Sequence, residues 1–450
     1  MKRCFIKSTA IILIISLWAA LCSCSPFGSS LDVKINSPTE TVDIVSPEIR
    51  DYISRAKNYK EGDYTSSVKA YDNLGNMPSS VKFEWTFSKD LNIVNAYFIF
   101  SETKDFKVTQ KEYIPKIHTP TKDKKQTATI YNLKPDTTYY YKIEVEEKGG
   151  KTSESKVFTL KTLSGPYILE ISGVNNARDI GGYKTDDRKT IKYGRVYRSA
   201  NLDLATDIGE DYILNTLGIK TEFDLRNEYT ESFRSPFESS LNYINIAGKS
   251  YAAFWENYET AAEEARVFAN PENYPIIFHC AAGADRTGSL AFALEALCGV
   301  SENDMIIDYE LTPKRSRAGY KTDKYNYDFP AFITALRSFE GENLKDKVYN
   351  FFKDKCGLSD MELYNITALL TTDGAVFKNP PSSPIKSNGN KATVEIDAKK
   401  SGEIKSITAN GKEYDFTYKN GILTIKTSNE GVINATLSFE DGTKMPIAFE

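Results

Sequence analysis

The sequence predicts a multidomain chain of α/β plus all-β class, in which an α/β sheet with flanking helices follows a β-sandwich and precedes a small antiparallel β domain. Three observations carry this expectation. Apolar positions alternate with period two over residues 80–163, strand patterns alternate with helical ones over 164–377, and three hairpin dipeptides punctuate 391–450. With 450 residues, 40% of them apolar, the chain has material for two or three domains and at least one substantial core. Its formal net charge of −4 lacks the clustered basic surplus of a nucleic-acid binder, so no nucleic acid is expected as a partner.

At the start, Lys2, Arg3 and Lys7 precede the apolar run "TAIILIISLWAAL". That layout is a secretory signal over residues 1–23, too short to span a bilayer, and it implies export. The run closes on "LCSC", which resembles a bacterial lipobox. The resemblance implies a lipid on Cys24 that holds the mature chain to the membrane at the bacterial cell envelope or surface; Cys22 as the acylated residue, or cleavage without a lipid, are the alternatives. Cys280, Cys298 and Cys356 then remain as scattered thiols, which are not a disulfide framework. The histidines are His118 and His279, and no Cys-x-x-Cys occurs. Neither a metal site nor another cofactor is expected.

Residues 24–79 are rich in Ser, Pro, Asn and Asp and read as a tether and adaptor segment with one helical stretch near "SPEIRDYISRAKNY". From 80 to 163 the runs "VKFEWTF", "NAYFIFSE", "QTATIYNL", "TTYYYKIEVEE" and "KVFTLKT" read as strands of an antiparallel sandwich. "LKPDTTYYYKIEVEEKGG" resembles the late strands of a fibronectin type III domain, with Leu133, Pro135 and Thr137 leading to Tyr139 at the tyrosine corner. Trp85 matches that family's buried tryptophan. The resemblance implies a spacer or adhesive module, and fold does not decide between these.

Over 164–377, "GIKTEFDLR" and "YPIIFHC" read as strands. "DIGEDYILNTLG" reads as a helix with Asp207 and Glu210 as a capping box and Gly218 as its stop, and Ser359 with Glu362 repeats the device. Alternating strands and helices imply an α/β layered domain. A Pro/Ser/Asn linker at 378–390 leads to the small all-β domain at 391–450, where Asn410-Gly411, Asn420-Gly421 and Asp441-Gly442 signal hairpins. Structural capping is the expected role of this domain, and surface docking or carbohydrate contact the alternative.

The chemistry concentrates in "HCAAGADRTG", residues 279–288, between the apolar strand "IIF" and the helix "TGSLAFALEAL". A loop at that junction converges the backbone N–H groups of Ala281, Ala282, Gly283, Ala284, Asp285, Arg286 and Thr287 on an anion, and the helix dipole adds partial positive charge. Gly283 supplies the conformation a tight cradle needs. Cys280 lies at its base. An unperturbed thiol of pKa about 8.5 is only a few per cent ionised at neutral pH, so the field that binds phosphate also creates the nucleophile. Arg286 offers a planar fork to two phosphate oxygens, and Thr287 can donate its hydroxyl to the thiolate.

This stretch resembles the signature of the cysteine-based protein tyrosine phosphatases, H-C-x-x-G-x-x-R-[ST]-G, matching every fixed position from His279 to Gly288. "NNARDIGGY", "GRVYRSANL", "FDLR" and "IIDYELT" resemble, in order, further blocks of the bacterial tyrosine/dual-specificity branch. The resemblance implies attack by Cys280 on phosphorus, a cysteinyl-phosphate intermediate and its hydrolysis by water without metal. It also makes the Asp of "DLR", Asp224, the general acid, at the sheet edge where α/β ligands bind; a loop-capping aspartate is the other reading. Arg226 either assists phosphate binding or pairs with Asp224. Arg178 and Asp179 read as an ion pair beside the site, with a direct substrate role for Arg178 as the alternative, and His279 is a possible accessory.

Asp285 has two open readings, a first-turn carboxylate favoured by the dipole or a proton-handling, Arg-orienting group. Ala284 departs from the branch, which usually carries lysine there, and this puts lipid specificity in doubt. The aromatics of "SYAAFWENYE" wall a pocket or fill a core. "TPKRSRAGYKTDKYNY" is a substrate-facing loop or a solvated connection. The expected function is phosphomonoester hydrolysis, as a protein tyrosine or dual-specificity phosphatase acting on a phosphorylated protein or small phosphomonoester. An inositol phosphate or phosphoinositide phosphatase with the same loop is the alternative, and a non-catalytic phospho-ligand-binding or adhesion lipoprotein is the rival from another class. Oligomeric state is not legible.

Overall fold

The computed structural model describes residues 30–56, 76–227, 235–237, 239–312, 331–428 and 431–450. The signal segment with Cys22 and Cys24, and all of the basic-aromatic stretch after Thr312, lie outside these residues. The described chain forms two compact units.

The first unit gathers residues up to Ser37, Glu84–Ala128 and Tyr140–Thr159. Strand β1 (Val33–Ser37) pairs antiparallel with the Glu84–Phe87 part of β2 (Ser80–Phe87). β3 (Ile93–Ser101) lies between β4 (Gln110–Tyr113) and β5 (Thr138–Glu147), antiparallel to both, and β6 (Thr152–Glu154) continues from β5. Period-two patterning puts Trp85, Phe87, Phe98, Phe100, Tyr141, Ile143 and Val145 inside. Trp85 and Phe98 meet edge to face at 5.2 Å. β1 comes from the segment read as a tether. Its pairing with β2 spans some fifty residues of chain, a distance that local pattern does not encode.

The second unit contains Pro38–Phe83, Thr129–Tyr139 and Leu160–Glu450. Helix α1 (Pro47–Ala56), expected from the sequence, buries Ile49 and Tyr52 and belongs to this unit rather than to a free tether. The central sheet has six strands: β7 (Tyr167–Ile168), β8 (Arg178–Asp179), β9 (Val196–Ser199), β10 (Thr221–Asp224), β11 (Asn242–Asn245) and β12 (Ile276–His279). Their spatial order is β7-β8-β9-β12-β10-β11. β9, β12, β10 and β11 run parallel, while β7 and β8 extend the sheet antiparallel.

Alternation along β12 sends Ile276 and Phe278 into one core and Ile277 into the other, so both faces are covered. The helices α2 (Asp207–Asp211), α3 (Ala252–Glu256), α4 (Tyr258–Ala269), α5 (Asp285–Leu297), α6 (Glu302–Glu310) and α7 (Asp360–Thr371) surround the sheet. α5 is buried from Thr287 to Leu297. That position makes the loop before it a rigid structure.

Two caps separate expectation from structure. Ser359 and Glu362 form the expected capping box on α7. On α2 the cap is Thr206, not Asp207: Thr206 is extended (φ −86°, ψ 167°) and its side chain accepts from the Gly209 N–H. An N-cap needs that backbone, and Asp207 instead becomes a first-turn acid favoured by the dipole. Gly218 ends the segment at φ +63° as expected.

The C-terminal strands β13 (Val376–Phe377), β14 (Lys391–Asp397), β15 (Ile404–Ala409), β16 (Phe416–Lys419), β17 (Ile422–Lys426), β18 (Ile433–Phe439) and β19 (Lys444–Phe449) form two small sheets. Asn410-Gly411 and Asn420-Gly421 have positive φ at both residues, as two-residue hairpin turns require. The strands share one core with Met361 of α7 and with Ala375 and Phe377. They therefore belong to the same compact unit as the α/β sheet, not to a domain hung on a linker. Asn365 holds the seam: its amide donates to the carbonyls of Ala269 and Phe377 and accepts from the Phe377 N–H.

Candidate active site

Cys280 follows directly on β12, the strand flanked by β9 and β10, and the loop from it reaches α5 at Asp285. This is the carboxyl edge of the parallel strands, where α/β ligands bind. The N-cap of α5 is Ala284, which makes no side-chain cap bond. The first-turn N–H groups are thus left for an anion.

The loop is held from outside. The Asn201 side chain donates to the Ala281 carbonyl at 3.0 Å, Asn176 Nδ2 to the carbonyls of Ala282 and Gly283 at 3.1 Å each, and Arg198 Nη2 to Gly283 at 3.0 Å. In a trans peptide the C=O and the next N–H point in opposite directions. Three carbonyls turned outward therefore turn the N–H groups of Ala282, Gly283 and Ala284 inward, which is an anion-binding nest. Gly283 has φ +66°, and a Cβ there would lie 2.3 Å from the Ser199 carbonyl oxygen. Glycine is required on both counts.

Cys280 is buried, at 3% exposure. Burial opposes its ionisation, but the hydroxyl and N–H of Thr287, the charge of Arg286 and the N–H of Ala282 outweigh it and hold the thiol below the ordinary cysteine value. Thr287 Oγ1 is buried without completing a hydrogen bond of good geometry; the sulfur on which it acts is the acceptor at hand for its proton. Burial has the opposite outcome elsewhere. Cys298 is pushed well above the ordinary thiol value and Cys356 up to about 12, as apolar surroundings do to inert thiols. Arg286 Nη1 donates to the Leu225 carbonyl at 2.9 Å, which fixes the guanidinium beside the loop.

The two aspartates differ. Asp224, 1% exposed, accepts from Arg226 Nε at 2.9 Å and Nη2 at 2.8 Å and from the Tyr243 hydroxyl at 3.0 Å. Burial raises its pKa, but Arg226 and His279 more than offset this and hold it as a carboxylate. An acid must carry a proton to give, so this geometry opposes the acid role for Asp224 and supports its pairing with Arg226. Arg226 also binds Asp203 at 2.6 Å, so its fork is committed to protein carboxylates rather than to phosphate. Asp285 is half-buried on the loop, where the Tyr251 hydroxyl donates to it.

His279 is fully buried. Its Nε2 meets Glu222 at 2.9 Å, and although burial lowers its pKa, the carboxylates of Glu222 and Asp224 raise it overall. It is a strut beneath the loop. Arg178 pairs not with Asp179 but with Asp308 of α6, at 2.8 Å, and its Nη1 donates to Asn176 at 2.6 Å. Asp308 also takes Arg198 at 2.5 Å. Asp179 instead accepts the N–H groups of Gly181 and Gly194, and burial pushes it up to about 7. Arg178 thus reaches the loop through Asn176.

Phe254 and Trp255 are core residues, whereas Tyr251 stands at the site. Asn176, Arg198 and Asp308 lie, like Arg178, inside the motif blocks, and that co-occurrence is their signal in the sequence. Tyr251 belongs to the aromatic run read as a pocket wall or a core, whereas for Glu264, a buried carboxyl pushed well up by desolvation despite the nearby Arg286, no local signal existed.

A thiol held toward thiolate at the base of an inward-facing nest, with an arginine fork beside it, is an arrangement that can bind a phosphate ester and attack its phosphorus. Residues 169–372 match the model of the tyrosine phosphatase family. A Cupriavidus necator protein provisionally named a tyrosine-protein phosphatase is 26% identical, over 33% of this chain and 64% of its own length. The chain therefore spans less than two thirds of that relative. Among solved structures, the core catalytic domain of the PP-IP phosphatase Siw14 from S. cerevisiae, in complex with citrate, is 15% identical, covering 34% of this chain and 93% of that one with a TM-score of 0.23. A second structure of the Siw14 catalytic core is 18% identical, covering 29% and 83%, with a TM-score of 0.22.

Proposed function

We propose that this protein hydrolyses phosphomonoesters through a cysteinyl-phosphate intermediate, without metal, as a protein tyrosine or dual-specificity phosphatase. The observation that carries it is the outward clasp on the carbonyls of Ala281, Ala282 and Gly283 above a thiol held toward ionisation. In the first step the Cys280 thiolate forms an S–P bond as the P–O bond to the leaving group breaks. Inward N–H groups and Arg286 take the charge on the equatorial oxygens. Asp285, where the loop meets α5, gives its proton to the leaving oxygen. In the second step Asp285 takes a proton from water, the hydroxide oxygen bonds to phosphorus and the S–P bond breaks. Thr287 donates to the departing thiolate.

Ala284 supports a singly phosphorylated substrate, because a buried methyl stands where a second cation would meet further phosphates. Two features support a fibronectin type III-like fold over 80–163: Trp85 is fully buried, and the Tyr139 hydroxyl, in the segment that belongs to the second unit, accepts from the Lys134 N–H at 2.9 Å.

The test is turnover across phosphotyrosine, phosphoserine, phosphoinositide and inositol phosphate substrates, with chelator present, in the wild type and in Cys280→Ser. We expect chelator-insensitive release from aryl phosphates, and its loss in Cys280→Ser with unchanged thermal unfolding. Full activity in that variant would sink the reading. Preference for inositol phosphates would keep the chemistry and overturn the substrate, and phospholigand binding without turnover would favour the non-catalytic alternative.

A further inference from the structure

Tyr251 combines three features that core packing does not require. Its backbone stands at φ +55° and ψ −140°, a conformation that non-glycine residues rarely adopt. The Ser289 hydroxyl holds it there, accepting from the Tyr251 N–H at 2.9 Å while donating to the Asp285 carbonyl at 2.9 Å. Its own hydroxyl donates to the Asp285 carboxylate. Behind it Tyr309 of α6, buried, is hydrogen-bonded to Tyr251. The chain Tyr309–Tyr251–Asp285 has one consistent direction, because Tyr251 gives its single proton to Asp285 and so accepts from Tyr309. Such a chain strengthens each of its bonds. Strain retained at a residue over-determined by its neighbours points to a functional constraint.

We propose that Tyr251, locked by Ser289 and backed by Tyr309, is the positioning residue that aims the Asp285 carboxyl at the leaving-group oxygen. This rests on the phosphatase reading above. A half-buried carboxyl in the first turn of a helix can take more than one rotamer, and proton transfer needs it within hydrogen-bond reach of one oxygen. The phenol restricts that carboxyl by holding one of its oxygens. Phosphate binding itself runs through backbone N–H groups and Arg286, so Tyr251 governs the rate of proton transfer and not the affinity for the ester.

The experiment uses the full chain as wild type, Tyr251→Phe, Ser289→Ala, Asp285→Asn and the double variant Tyr251→Phe/Asp285→Asn. kcat and KM are measured with phenyl phosphate, a poor leaving group, and 2,4-dinitrophenyl phosphate, a good one. Tyr251→Phe is expected to lower kcat on phenyl phosphate about tenfold, with kcat on the dinitrophenyl ester and both KM values within about twofold of wild type. Ser289→Ala should show the same signature. In the Asp285→Asn background, Tyr251→Phe should cost nothing further, because its target is gone.

Equal loss on both esters, a change in KM alone, no change, or additive losses in the double variant would each overturn the proposal. The underlying reading fails separately. An inactive wild-type chain removes the phosphatase assignment and the positioning role with it. An Asp285→Asn variant indifferent to the leaving group removes Asp285 as the acid, and Tyr251 then has no proton donor to aim.

Discussion

Asp224 and Asp285 stand at the same sheet edge in different surroundings, and the proposed mechanism gives them different tasks. Asp224 is sealed against Arg226, with Tyr243 and His279 at its other flank. Breaking such a pair strands a buried guanidinium, although Asp203 remains as a second partner. Asp224→Asn should therefore cost about 3 kcal/mol of stability in denaturant unfolding, and lower turnover equally for good and poor leaving groups. A selective loss on poor leaving groups would return the acid role to Asp224. The sequence showed both aspartates but not this division. "FDLR" holds Asp224 and Arg226 two residues apart, so their pairing was available as one of two readings. Tyr251 and Asp285 are 34 residues apart, and a tyrosine at positive φ leaves no mark in a linear pattern.

The loop between β12 and α5 is the element that composition and spacing revealed best. An apolar strand, a glycine and an apolar helix fixed its place, and the histidine, cysteine and arginine fixed its chemistry. Its outer clasp was less legible, since Asn176, Arg198 and Asp308 meet only after the chain has folded through three elements. Gly283 is where local conformation and tertiary contact coincide. Gly283→Ala must leave φ +66° and also clear the Ser199 carbonyl. The variant is expected to lose about a hundredfold or more in kcat/KM on aryl phosphates while the far-ultraviolet circular dichroism stays that of the wild type. Near-wild-type turnover would mean that the loop can close in another conformation.

At the scale of the whole molecule, hairpin dipeptides foretold the C-terminal strands, whereas the depth of their attachment had no sequence signal. Met361 of α7, Ala375 and Phe377 share the core of those strands, and Asn365 clamps the seam. Removing residues 379–450 would expose side chains worth about 1.5–3 kcal/mol each, a sum that approaches the stability of an ordinary domain. The truncated chain is expected to aggregate or to unfold at a markedly lower temperature, by calorimetry; an unchanged transition would show that the seam is incidental. The outward clasp on the loop has a further consequence at this scale. Asn201, Asn176 and Arg198 hold the cradle ready before any ester arrives, so the resting chain greets spent orthophosphate with the same N–H groups that greet the substrate. In the proposed reaction orthophosphate is thus expected to compete with the ester for the cradle, without any separate regulatory site.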